Sequence, residues 1–111
     1  MKNKDFQIVY KKGKSYANKY LVMYVFKNNT EENCLGVSVS KKVGNSVVRH
    51  RITRLIKESY RLQEGKFQNG YDIVIVARTV AKDKTYQEIE SALLHLGKLH
   101  NIMDNSLENE N

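Results

Sequence analysis

The 111-residue sequence contains no proline, a single cysteine and no long hydrophobic run. One cysteine cannot form an internal disulfide or supply the thiolates of a zinc cage. Cys34 lies beside a predicted strand without a nearby His or Asp partner, so we predict a packing residue rather than a nucleophile. The longest apolar run, residues 21–26, is far too short to span a bilayer. The first five residues carry positive charge on Lys2 and Lys4, but no apolar segment of the kind that a secretory signal requires follows them. We therefore expect a cytoplasmic protein without a membrane anchor.

Neither an internal repeat nor a low-complexity segment divides the chain. Its length allows one hydrophobic core but not two. Hydrophobic residues make up 41% of the chain and charged residues 28%, a composition that is ordinary for a globular domain. We predict one domain over residues 1–103. The acidic polar tail, residues 104–111, is predicted to be disordered.

Positive charge is in clear excess. The chain holds 19 Lys and Arg residues against 12 Asp and Glu residues, for a net charge of +7. Three of the acidic residues lie in the tail, so residues 1–103 hold 19 basic and 9 acidic groups, a net charge of +10. This excess attracts a polyanion and makes its binding salt-dependent. Nucleic acid is the favoured partner, and an anionic membrane surface is the weaker alternative.

Three segments have apolar residues at helical spacing, and we predict helices over residues 4–12, about 48–62 and about 85–102. Asn3 is available as the N-cap of the first helix, and Gly13 ends it. Thr85 and Glu88 form the capping box that opens the third.

Three further segments are either continuously apolar or alternate between apolar and small polar residues. We predict strands over residues 19–27, 35–40 and 71–78. The first and last are apolar on both faces, so both faces should be buried. A predicted helix lies between the second and third strands in the sequence, and this order predicts that the two strands pair in parallel. The order is about αβββαβα, with the position of one short strand left open.

The second predicted helix has an apolar side and a basic side. The stretch 41–61 holds seven basic residues and one acidic residue, Glu58. Guanidinium groups can bind phosphate oxygens bidentately, whereas a merely solvated helix face usually mixes charges. We therefore predict an RNA-binding surface composed of Lys41, Lys42, Arg49, His50, Arg51, Arg54, Lys57 and Arg61.

Aromatic residues mark a second candidate surface at Phe6, Tyr10 and Tyr24. Aromatic faces stack on unpaired bases of any sequence. On the residues alone, however, core packing is favoured for Phe6 and Tyr10 because they lie at helical spacing.

Four segments resemble the ribonuclease P protein family. The longest, residues 38–58, reads SVSKKVGNSVVRHRITRLIKE, and the others are residues 5–13, 17–18 and 72–78. The resemblance implies the protein subunit of bacterial ribonuclease P, whose catalytic P RNA removes the 5′ leader of precursor tRNA. It also implies an α+β fold: a single-domain α/β sandwich with a mixed, mainly four-stranded sheet and a left-handed βαβ crossover, as in the second domain of ribosomal protein S5. The general handedness rule would not predict that crossover.

The resemblance also implies roles for individual residues. Arg49, Arg51, Arg54 and Lys57 match positions that contact the catalytic RNA. The sequence departs from the family pattern at His50, where Asn is usual, and at Thr53, where Lys is usual. Phe6, Tyr10 and Tyr24 match aromatic positions of a cleft that receives the single-stranded leader.

No candidate catalytic or metal-binding residues emerge. The helical acids Glu58, Glu88 and Glu90 form no ligand cluster, so the resemblance leaves catalysis to the RNA, which would chiefly hold the Mg²⁺. We expect a monomeric protein, one per RNA. Two alternatives stay open: a ribosomal or ribosome-assembly RNA-binding protein, and a self-sufficient metal-dependent nuclease.

Overall fold

Three helices and four strands make up the fold of residues 1–104, the part of the chain that the computed structural model describes. They are α1 (Asn3–Lys12), β1 (Lys14–Ala17), β2 (Leu21–Lys27), β3 (Cys34–Ser38), α2 (Ser46–Gln63), β4 (Tyr71–Ala77) and α3 (Tyr86–Leu99). The order αβββαβα is confirmed, and β1 is the short strand that the sequence left open. The predicted disorder of the tail falls almost wholly on residues 105–111, outside the described residues. No described helix is both long enough and apolar enough to cross a membrane.

The four strands form one mixed sheet in the order β1, β2, β4, β3. Strand β2 pairs antiparallel with both β1 and β4. Strand β3 pairs in parallel with β4, and α2 connects the two strands. The parallel pairing predicted for these two strands is confirmed. The left-handed sense of this crossover stays a prediction.

Helices α2 and α3 pack against one face of the sheet and enclose the core. On the sheet side the buried residues include Leu21, Met23, Ile73 and Ile75. On the helix side they include Ile52, Ile56, Ile89 and Leu93. The alternation of β2 and the 3.6-residue spacing of the helices produce this layer directly.

The opposite face of the sheet is only partly covered, because α1 alone of the three described helices packs against it, chiefly on β2 and β4. Val9 of α1 and Val74 of β4 are fully buried, and α1 contacts β4. Val22, Tyr24 and Val76 remain partly exposed. The prediction that both faces of β2 and β4 are buried is therefore wrong for this face.

Three local details also differ from the predictions. Lys2, not Asn3, is the N-cap of α1. Helix α3 ends earlier than predicted, because Asn101 adopts a left-handed conformation (φ 58°) that turns Ile102 back into the core. Cys34 is exposed, so the packing role predicted for it is wrong.

Candidate nucleic-acid interface

Helix α2 presents its basic side to solvent because its apolar side is fixed in the core. The N-cap of the helix is Asn45, whose side-chain oxygen accepts a hydrogen bond from the backbone N–H of Val48 at 3.0 Å. Burial of Ile52 and Ile56 sets its rotation about its axis. The basic residues left exposed on the helix are His50, Arg51, Arg54, Lys57 and Arg61, and Lys41 and Lys42 are exposed in the preceding turn. The structure thus brings together the predicted basic residues, whose RNA contacts stay a prediction.

Arg49 lies at the border between the two sides of α2 and is half-buried. Its Nε atom is buried, and no hydrogen-bond partner for it occurs among the described residues. A buried, unpaired N–H is unfavourable by about 1–3 kcal/mol. If the side chain of Arg49 turned toward solvent, a phosphate oxygen could accept from this donor and remove that cost, which fits the predicted RNA contact.

Arg51 already has protein partners. Its Nη2 donates a hydrogen bond to the backbone oxygen of Lys84 at 2.9 Å, and its Nη1 donates a longer one to that of Lys82 at 3.4 Å. A guanidinium has five N–H donors, so three remain for a phosphate. Arg51 therefore ties α2 to the segment before α3, a contact that local sequence does not reveal.

Arg61 is paired within its own helix. Its Nη2 lies 2.6 Å from Oε1 of Glu58, and its Nε donates to Oε2 at 3.1 Å. The hydrogen bond from Arg61 is the main cause that lowers the pKa of Glu58 below its ordinary value. To bind a phosphate through these donors, Arg61 must first release the carboxylate.

The three predicted aromatic residues form one cluster between α1 and the sheet. The ring centroids of Phe6 and Tyr10 are 6.2 Å apart, and those of Tyr10 and Tyr24 are 4.9 Å apart in an edge-to-face arrangement. Phe6 lies against Gly36 of β3, where a Cβ atom would come within 2.7 Å of its ring. All three side chains keep some exposure, so pure core packing is wrong for Phe6 and Tyr10.

A cleft of about 310 Å³ opens beside this cluster. Its lining residues are Asn3, Phe6, Gln7, Tyr10, Val37 and Ser38. Gln7, Val37 and Ser38 were not predicted as site residues. Ser38 could have been found, because Gly36 and Ser38 give β3 one face of small residues that allows close approach. No comparable signal in the sequence points to Gln7 or Val37.

The helical acids have partners in the structure. Glu88 caps α3 by accepting from the backbone N–H of Thr85 at 3.1 Å, and Glu90 accepts from the hydroxyl of Tyr86 at 2.8 Å. Within residues 1–104, no three His, Cys, Asp or Glu side chains lie close enough to hold a metal ion.

A basic helix and an aromatic cleft on one α+β domain define a small RNA-binding protein. The family model described as Ribonuclease P matches residues 1–100. The chain therefore belongs to the ribonuclease P protein family, which makes it a subunit of an endoribonuclease of tRNA processing with an RNA partner.

Individual relatives agree with this assignment. A ribonuclease P protein component of Lachnoclostridium phytofermentans is 62% identical over 109 residues, covering 98% of this chain and 94% of its own. The solved ribonuclease P protein of Staphylococcus aureus superposes with a TM-score of 0.84 at 41% identity, covering 92% of this chain and 94% of its own. That of Thermotoga maritima gives a TM-score of 0.80 at 31% identity, covering 85% and 89% of the two chains.

Proposed function

We propose that this protein binds the catalytic P RNA and the 5′ leader of precursor tRNA, and so assists removal of the leader. The observation that carries the proposal is the presence of two chemically different surfaces on one small domain. One is the basic side of α2, and the other is the aromatic cleft beside α1. A structured RNA suits the first surface, and an unpaired strand suits the second.

The basic side of α2 supplies donors for phosphates. Arg49 has an unused buried donor, and Arg51 is already held in place. Guanidinium groups held in advance lose little side-chain freedom on binding, which favours affinity. These arginines bind the catalytic RNA, with Arg54 and Lys57 on the exposed side of the same helix.

The aromatic cleft supplies stacking surfaces for the leader. Phe6, Tyr10 and Tyr24 offer partly exposed rings that form one cluster. Stacking tolerates any base, and leaders of different sequence need that tolerance. The cleft therefore binds single-stranded leader without reading its sequence.

Catalysis belongs to the RNA, which chiefly holds the Mg²⁺ of the cytoplasmic holoenzyme. The protein binds as a monomer, one per RNA. Its positive charge reduces repulsion between the phosphates of the two RNAs, so less Mg²⁺ is needed.

The test is cleavage of precursor tRNA at low Mg²⁺ by the RNA alone, the protein alone and the two together. We expect efficient cleavage only in the mixture. Absence of any enhancement by the protein would contradict the proposal and favour the ribosomal alternative. Cleavage by the protein alone would favour the self-sufficient nuclease.

Substitutions separate the two surfaces. Replacing Arg49, Arg51 and Arg54 together with Ala should weaken binding to the catalytic RNA. Tyr24→Ala should mainly weaken precursor tRNA relative to mature tRNA, whereas Tyr24→Phe, which keeps the ring, should leave that ratio unchanged. Unaltered affinities in either alanine variant would remove the corresponding assignment.

A further inference from the structure

The segment that Arg51 holds against α2 is itself basic. It consists of the short 3₁₀ turn Thr79–Asp83 and the residue that caps it, Lys84, and it is anchored by Ala81, a residue with no exposed surface. The two backbone oxygens that Arg51 binds belong to Lys82 and Lys84. Fixing these carbonyls fixes the backbone from which both lysine side chains extend.

Two more cations lie beside this segment. The ammonium groups of Lys84 and Lys19 lie 5.4 Å and 6.0 Å from the ring centroid of Tyr20. The guanidinium of Arg78 donates to the backbone oxygen of Asn18 at 2.6 Å. We call Lys19, Arg78, Lys82 and Lys84 the basic shelf. It lies where β2 begins, β4 ends and α3 starts.

Nearby carboxylates do not cancel this charge. Glu88 is engaged by the cap of α3 and by the hydroxyl of Tyr20 at 3.3 Å, and its pKa is lowered chiefly by the hydrogen bond from the backbone N–H of Thr85. Asp83 lies 3.8 Å from the ammonium of Lys84, and its side chain is 84% exposed, so solvent screens the pair. Four cations therefore face two acids, which leaves the shelf positive.

The shelf extends the basic side of α2. Arg51 is shared by both surfaces: two of its N–H donors hold the shelf, and three remain for RNA. An RNA backbone that contacted Arg51 would thus meet Lys82 and Lys84 beside it. Helix α2 and the shelf are fixed to each other before RNA arrives, so little order has to be created on binding.

We infer that the basic shelf is a second binding site for the phosphate backbone of the RNA that binds α2, and that Arg51 is the residue that positions it. The inference rests on the proposed function, because it takes the catalytic RNA as the ligand.

The experiment measures the affinity of the full chain for the catalytic RNA over a range of salt concentrations. The shelf variant is Lys82→Ala with Lys84→Ala. The control is Lys27→Ala with Lys66→Ala, which removes equal charge. Lys27 pairs with Tyr71 at the start of β4, about 20 Å from the end of β4 that lies beside the shelf, and Lys66 precedes that start in the chain. The shelf variant should bind roughly tenfold more weakly and lose about 1.5 from the slope of log affinity against log salt, whereas the control should change little.

A second comparison tests the role of Arg51. Arg51→Lys keeps the charge but cannot hold two carbonyls with a planar group, so the shelf loses its support. If Arg51 positions the shelf, this change should weaken binding in the wild-type background and much less in the shelf variant. A merely structural role would instead lower the melting temperature without this dependence on background.

The outcomes are distinct. Weaker binding by the shelf variant than by the control, together with dependence of Arg51→Lys on the shelf, supports the inference. Equal binding by the shelf and control variants overturns the inference while the proposed function stands. Failure of the wild-type protein to bind the catalytic RNA overturns both.

Discussion

At the residue scale, Glu58 opposes the charge of the surface on which it lies. It is the one carboxylate in residues 41–61, and it holds two donors of Arg61. Glu58→Gln should release Arg61 and remove a repulsive charge, so affinity for the catalytic RNA should rise by roughly threefold at low salt. Glu31→Gln, at an exposed loop position, is the control. Weaker binding by Glu58→Gln would show that the pair supports the interface, and unchanged binding would show that Glu58 does not oppose the RNA.

His100 gives the protein a predictable response to pH. Its ring is half-buried, Nε2 lies 2.8 Å from the backbone oxygen of Met23, and Tyr16 packs edge to face against it. Burial lowers the pKa of His100, although the hydrogen bond to Met23 opposes this shift. The folded state therefore binds a proton less readily than the unfolded state, whose His has a pKa of about 6.5.

This difference in proton binding makes the protein less stable as the pH falls. As the pH falls below about 6.5, the unfolded state takes up the proton first, so the free energy of unfolding decreases until the folded-state pKa is passed. The melting temperature should fall between about pH 7 and about pH 5, and His100→Gln should remove part of that fall. His50→Gln, at an exposed position, is the control. An identical pH profile for His100→Gln and wild type would contradict the assignment.

Residue types were easier to predict than residue partners. The basic side of α2 follows from spacing alone, since burial of Ile52 and Ile56 determines where the arginines point. The partners of Arg51 lie more than thirty positions further along the chain. Only the packing of the Thr79–Asp83 turn against α2 brings them close, so no local pattern could have revealed this contact.

At the element scale, the placement of α1 depends on Gly36. A Cβ atom there would lie 2.7 Å from Cζ of Phe6 and 2.8 Å from Sδ of Met1. Gly36→Val should push α1 away from β3, lower stability by about 1–3 kcal/mol and weaken precursor tRNA relative to mature tRNA. Urea unfolding and the two tRNA affinities measure these effects.

Gly65 supplies the matched control, because a Cβ atom there would meet nothing within 4 Å. Gly65→Ala should change stability by less than about 0.5 kcal/mol and leave both tRNA affinities unaltered. If Gly36→Val behaved like Gly65→Ala, the position of α1 would not depend on this glycine.

Elements with a strong apolar pattern were predicted within a few residues, and weakly patterned ones were not. Helix α2 has a clear apolar stripe, and β4 has a continuous apolar run. Strand β1 has four residues, of which only Tyr16 is even partly buried, so its hydrogen bonds to β2 define it rather than its pattern. The incomplete cover of the sheet was missed because an apolar face does not show how much of it a neighbour covers.

At the scale of the whole molecule, two surfaces with different physics should respond differently to salt. If roughly four to seven phosphates are neutralised, log affinity for the catalytic RNA should fall with log salt at a slope between about −3 and −6. The preference for precursor over mature tRNA should change by less than about threefold over the same range, because stacking involves no net charge. Equal salt dependence of the two quantities would contradict the separation of surfaces.

The partly open face of the sheet also has a consequence for the behaviour of the protein in solution. Val22, Tyr24 and Val76 leave an apolar area that a second copy could cover. The net charge of +10 on residues 1–103 makes copies repel one another. The charge that binds RNA thus also acts as the protein's colloidal stabiliser, and concentrated salt weakens both properties together.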